Sequence, residues 1–141
     1  MATKTYDPAK VLVSFAGQLI TGIAPDTFIS AERNEDGFTL VVGAGGEATR
    51  SQSRNRSGTV TLTLMASSQA NDILSAQAAA DELAGTGVAA LFIKELNGTT
   101  RAMAASAWIK KLPTVERARE AGTVEWTFEC EALDLTVGGL L

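Results

Sequence analysis

The sequence contains no histidine. The commonest general base and the commonest metal ligand are therefore both missing. Zinc sites and Ser-His-Asp triads are excluded in their usual forms, which leaves lysine, tyrosine or carboxylate chemistry to any catalysis. Cysteine occurs once, as Cys130, so no internal disulfide forms. That thiol lies on the apolar side of an alternating segment with no histidine to activate it, and it reads as buried and structural. No apolar run approaches the roughly 20 residues that span a bilayer. Met1–Lys10 lacks the apolar stretch of a signal peptide, so synthesis in the cytosol with no membrane partner is expected. Positive charge is not in excess either. The net charge is −4 and the isoelectric point about 4.8, so bulk charge does not grip nucleic acid.

What is present is alternation. At 141 residues, 45% apolar and 20% charged, the chain is long enough for one folded domain with its own core. In Thr59–Met65 the apolar Val60, Leu62 and Leu64 point one way and Thr59, Thr61 and Thr63 the other. That is a half-buried strand built of residues suited to a pleated surface. Near the C-terminus the pattern returns with acids in place of threonines. Over Thr123–Leu135 the apolar face holds Val124, Trp126, Phe128, Cys130 and Ala132. The polar face holds Glu125, Thr127, Glu129 and Glu131.

The remaining elements follow in order. Met1–Ala9 is a polar arm ending in Asp7-Pro8. Lys10–Phe15 is a strand that turns at Ala16-Gly17-Gln18 and returns over Leu19–Thr21. Thr27–Arg33 is a strand, Asn34–Gly37 a turn, and Phe38–Val42 its expected partner. A helix is expected over Ser67–Leu83, with Ser67, Ser68 and Asn71 as available N-cap residues and Asp72 in the first turn. Its apolar stripe would be Ile73, Ala76, Ala80 and Leu83, and Gly85 and Gly87 would end it. Val88–Leu96 and Thr99–Ile109 form a hairpin about Asn97-Gly98. The small residues of Ala102–Ala107 suit either an interface or tight core. Trp108 and Trp126 both sit on apolar alternations and read as core. Together these predict a mainly β fold: an antiparallel sandwich or open barrel with one flanking helix.

Two stretches invite a chemical reading. Gly43-Ala44-Gly45-Gly46 looks superficially like a phosphate loop, but no Gly-Lys-Ser/Thr ending and no helix start follows it. Arg50, Arg54 and Arg56 lie just beyond, among Ser, Gln and Asn. Phe92 is the one aromatic residue between Thr39 and Ser106, so no stacking platform for nucleic acid lies nearby. The segment 43–57 is therefore a long loop, either solvated or ordered by a neighbouring subunit. Along one strand face at ~3.4 Å per residue, Glu129 and Glu131 stand roughly 7 Å apart and Glu125 and Glu129 roughly 14 Å. Solvent exposure, a metal or carboxylate pair, and a charged channel lining are all open for them.

Several stretches together resemble one group of proteins. They are Lys10-Val-Leu-Val-Ser-Phe-Ala-Gly17, Asp26-Thr-Phe-Ile-Ser-Ala-Glu-Arg-Asn-Glu-Asp-Gly37, Val41-Val-Gly-Ala-Gly-Gly46, Arg54-Asn-Arg-Ser-Gly-Thr-Val-Thr-Leu-Thr-Leu-Met65 and Ser68-Gln-Ala-Asn-Asp-Ile-Leu74. Their order is similar to that of the tail tube proteins of contractile-tailed bacteriophages, which are related to the type VI secretion tube. The likeness covers most of the chain and is densest over Lys10–Ala76.

The resemblance implies a domain spanning 1–141, with residues 1–9 as an arm and 43–57 as an extended inter-subunit loop. It implies hexameric rings whose inner strands join into one barrel. The rings stack into a hollow tube that meets sheath and baseplate proteins, and phage DNA passes through its lumen. No enzyme activity and no cofactor are implied, and the place is the virion tail, assembled in the host cytoplasm. Glu125, Glu129 and Glu131 become candidate lumen residues. Gly43, Gly45, Gly46, Arg50, Arg54 and Arg56 become candidate ring–ring contacts, together with the N-terminal arm. Six copies at −4 carry −24 per ring. That charge repels DNA phosphates within the ~8 Å Debye length of physiological salt, whereas a basic lumen would hold them by counterion release. The alternatives are a tube initiator, terminator or other tail part, and a monomeric ligand-binding β-sandwich that stacks ligands on Trp108 and Trp126.

Overall fold

A computed structural model describes residues 3–141; of the expected arm 1–9, Met1 and Ala2 lie outside the described residues. Among the rest, residues 3–7 have no regular structure, and Pro8–Lys10 form one 3-10 turn. Its cap is Asp7, whose side chain accepts a hydrogen bond from the Ala9 N–H. Ten strands and one helix follow. They are β1 (Val11–Phe15), β2 (Gln18–Leu19), β3 (Ile29–Arg33), β4 (Phe38–Val42), β5 (Ala48–Gln52) and β6 (Gly58–Met65). After the helix α1 (Ala70–Ala84) come β7 (Ala89–Glu95), β8 (Arg101–Lys111), β9 (Thr123–Cys130) and β10 (Asp134–Thr136).

The fold is mainly β and antiparallel, as expected. The main sheet runs β2-β1-β7-β8-β9-β6-β3, with β10 also on β8. Apolar side chains from four of its strands meet in one cluster: Val13 and Phe15 of β1, Leu91 and Ile93 of β7, Trp126, Phe128 and Cys130 of β9, and Val60, Leu62 and Leu64 of β6. The sheet curls so far that Phe15 and Phe128, three strands apart in the order, pack with ring centroids 4.9 Å apart. Right-handed twist makes such curling natural, and the tilted ring pair, at 57°, adds to burial.

The chain then bridges the gap left by the curl. The Ile20 N–H donates to Val13 O of β1. A few residues on, the Met65 N–H of β6 donates to Gly22 O, and the Ala24 N–H donates to Thr63 O. The segment from β2 into β3 thus crosses from one side of the sheet to the other and nearly closes a barrel. Two positive-φ residues, Ala16 (55°) and Gly17 (79°), make the tight turn that starts this crossing. Gly58 starts β6 under Leu133 and beside the Glu32 carbonyl oxygen, which a Cβ there would approach to 2.8 Å. Glycine is needed for that approach.

Five expectations are corrected. First, Phe38–Val42 does not pair with the strand before it. β3 pairs with β6, Ala31 opposite Val60, because its apolar Ile29 and Ala31 then reach the core. Second, segment 43–57 is not simply a loop. Gly43–Glu47 is a tip, and Ala48–Gln52 returns as β5 against β4. Third, the helix buries Ala70, Leu74 and Ala78, while Leu83 is 90% exposed. The expected stripe lies one position away from the face that meets the barrel, Leu74 being buried next to Ile73. Fourth, the last strand breaks at Glu131-Ala132. Leu133 is buried in place of Ala132, so the alternation changes phase before β10. Fifth, Trp108 lies opposite Glu129 on the polar face and is half-buried, whereas Trp126 is in the core.

Candidate assembly interface

Three surfaces offer themselves for contact. One is the outward side of β6 and β9. Register places Thr59 opposite Glu129, Thr61 opposite Thr127, and Thr63 opposite Glu125. β3 extends the rows with Glu32 beside Thr59 and Ser30 beside Thr61. β8 extends them with Trp108 beside Glu129 and Lys111 beside Thr127. Alternation around a core makes this face polar, because each inward Val or Leu obliges an outward neighbour.

The three candidate lumen acids do not form one row. Glu125 and Glu129 share the face, but Glu131 lies in the bend after β9, exposed, with its N–H donating to Ser106 O. Glu129 is only partly exposed and engaged on two sides. Lys110 Nζ lies 3.5 Å away, and Asn34 Nδ2 donates to it at 2.9 Å. Lys110 and Lys111 therefore offset much of the charge of Glu32, Glu125 and Glu129 on this face. The phase change at Glu131-Ala132 was hidden in the sequence, because Leu133 is the only sign that the inward positions have shifted.

The second surface is the β4–β5 arm. Every residue of both strands is exposed. Register puts Phe38, Leu40, Val42, Ala48 and Arg50 on one side of it, with the Arg50 guanidinium 4.1 Å above the Phe38 ring. Such an isolated two-stranded hairpin is marginal in water.

Its root, in contrast, is tied to the barrel. The Asn34 N–H donates to Ser57 O and the Leu133 N–H to Arg56 O. Arg33 Nε donates to Leu133 O at 3.0 Å, Asn34 accepts from Thr59 Oγ1 at 2.8 Å, and Arg56 pairs with Asp134. Of the candidate ring–ring residues, Gly43, Gly45 and Gly46 form the tip, Arg50 lies on the arm, and Arg54 and Arg56 lie at the root. Arg56 is thus tied to Asp134 within its own chain.

The third surface is an apolar groove of about 660 Å³ beside the crossing segment, lined by Val11, Leu12, Leu19, Ile20, Ile23 and Phe28 among others. Its walls come from three stretches of the chain, so no local pattern reveals it. Nothing at any of these surfaces suggests bond chemistry. Among the described residues no group of three acids or cysteines is placed to hold a metal. Cys130 is buried, and burial first, then the Glu129 charge beside it, pushes its thiol up to about 11. No helix among the described residues is long and apolar enough to cross a membrane.

Comparison with known proteins decides the class. The model of the bacteriophage PhiTE tail tube protein family matches residues 13–138. The chain belongs to that tail tube family. The structural protein ORF10 of Pseudomonas phage KPP10 is 27% identical over 145 residues, covering 97% of this chain and 84% of the phage protein. Among solved structures, the tube-terminating cap of the anti-feeding prophage overlays with a TM-score of 0.67 at 11% identity, covering 96% of this chain and 93% of the cap. The sheath/tube terminator of the extracellular contractile injection system PVC, in its extended state, also gives 0.67, at 12% identity and covering 97% and 100%. The PVC sheath–tube complex gives 0.61 at 12% identity, covering 97% and 93%. At these identities the overlays establish a shared fold. A tail tube family member of this fold is a bacteriophage tail structural protein, akin in architecture to parts of contractile injection systems.

Proposed function

We propose that the chain is the repeating subunit of a contractile phage tail tube, folded as one unit over residues 1–141. Six copies close into a ring, rings stack into a hollow tube inside a sheath, and DNA passes through the lumen during ejection. Membership of the tail tube family supports the role. The observation that carries the assembly is the β4–β5 arm: a firmly rooted hairpin with an exposed apolar face. Exposed apolar patches of this kind mark interaction sites. Within a ring, the outer side of β3 is the edge available for another copy's strand, and joining edges there removes an aggregation liability.

The polar face of β6 and β9 then lines the lumen, with Glu125 and Glu129 toward the passing DNA and Glu131 near one end of the barrel. Threonines and partly offset acids make a lining that attracts phosphate weakly, so DNA slides. Segment 43–57 and the N-terminal arm make the ring–ring contacts, and the sheath and baseplate meet the outside. No step requires catalysis or a cofactor.

Helical reconstruction of the assembled protein tests this reading. It should show six subunits per ring with Gly43–Arg56 buried against another copy. An arm left in solvent within the tube would overturn the assignment. A cap that ends the tube is the rival within this class, and it would give single rings that do not elongate.

A further inference from the structure

The arm and the apolar groove lie at opposite ends of β6. The arm springs from the Arg33–Gly58 end of the β3–β6 ladder. The groove lies where Ile23 bridges Leu64 and Gly22 accepts from Met65. Strand β6 between them spans roughly 24 Å at ~3.4 Å per residue, so a chain does not fill its own groove. We propose that the groove bounded by Leu12, Leu19, Ile23 and Phe28 receives the Phe38–Leu40–Val42 face of the arm from a second copy in the adjacent ring. This rests on the reading of the chain as a tube subunit and names the surface on which the arm lands.

Three features favour a second copy as the occupant. The donor face is apolar and exposed, and the receptor is an open apolar groove with Leu19 exposed and Leu12, Ile23 and Phe28 half-buried. Their placement at opposite ends makes the contact heterologous, so every copy gives one arm and receives one, and the chain of contacts stays open-ended. Charge also matches. Asp7 and Asp26 adjoin the groove-lining Pro8 and Pro25 and outnumber the one cation there, Lys10. The arm brings Arg50 on its apolar side.

The test is disulfide trapping on a Cys130→Ala background with Leu40→Cys on the arm and Leu19→Cys in the groove. Both positions are more than half exposed, so neither substitution touches the core. Oxidised tubes should give a ladder of covalent multimers on non-reducing gels, with at most dimers from either single cysteine. Tubes that form without a ladder overturn the groove assignment and leave the tube reading standing. A wild-type protein that never forms tubes overturns both. Elongation supplies a second measurement. Leu40→Asp and Leu19→Asp should each cut tube yield at least tenfold, while Val41→Asp, on the opposite side of the arm, should change it less than twofold. Equal losses from Leu40→Asp and Val41→Asp would also overturn the proposal.

Discussion

Asn71 joins three parts of the molecule through one amide. Its Oδ1 accepts from the buried Trp126 indole at 2.9 Å, and its Nδ2 donates to the carbonyls of Met65 and Ser68. The turn from β6 into α1 and the floor of the core are thereby fixed together. Asn71→Ala leaves the indole N–H without this partner and should cost about 1–3 kcal/mol, seen as a lower Tm in thermal melts. Asn71→Asp keeps the acceptor and should cost less. The residue was visible in the sequence as a polar group at the start of a helix, but as a cap. The helix in fact begins after Gln69 with no side-chain cap bond. The partner lies 55 positions away, and no local signal carries that.

Cys130 was legible in full, because alternation placed it inward. Its raised pKa also has a consequence for stability. Between pH 9.0 and about 11 the unfolded thiol ionises while the folded one stays protonated. Stability is therefore intact below pH 9 and falls through that window, at up to ~1.4 kcal/mol per pH unit. Chemical denaturation at pH 8 and pH 10.5 should show this fall in the wild type and a smaller one in Cys130→Ala.

Among the elements, strands facing one core are legible in the sequence, because inward Val, Leu and Phe fix both type and face. Elements whose partners lie far along the chain are not. β3 and β4 look like a hairpin, yet β3 gains more by placing Ile29 and Ala31 over the core beside β6. β5, of Ala, Thr, Arg, Ser and Gln, carries no apolar alternation at all. It is a strand only because β4 lies beside it. The helix face failed for a related reason: in an alanine-rich segment the apolar stripe is wide, and the barrel selects Leu74 from it.

Since every residue of both arm strands is exposed and none belongs to the core cluster, removal of the arm should leave the fold intact. Replacing residues 38–52 with a short Gly-Ser turn should keep the β-sheet circular dichroism signal and shift Tm by only a few degrees. It should abolish tube formation. Loss of cooperative melting in this variant would show that the arm belongs to the fold.

At the scale of the whole molecule, a nearly closed barrel leaves few surfaces uncommitted. The arm, the groove, the outer edge of β3 and the polar face are among them, and the proposed stacked ring would use each once. The lumen assignment has its own test. Glu125→Lys with Glu129→Gln turns a balanced lining basic, and tubes of this variant should retain DNA in low-salt gel shifts and release it as salt rises. Wild-type tubes should not retain it.

In the proposed tube, the polar flanks and the arm meet other copies or the lumen. Negative-stain microscopy of the purified protein across a concentration series tests it most directly. Long hollow tubes of uniform diameter, appearing above a threshold concentration, are the predicted result. Isolated, monodisperse monomers at the highest concentration would contradict the account.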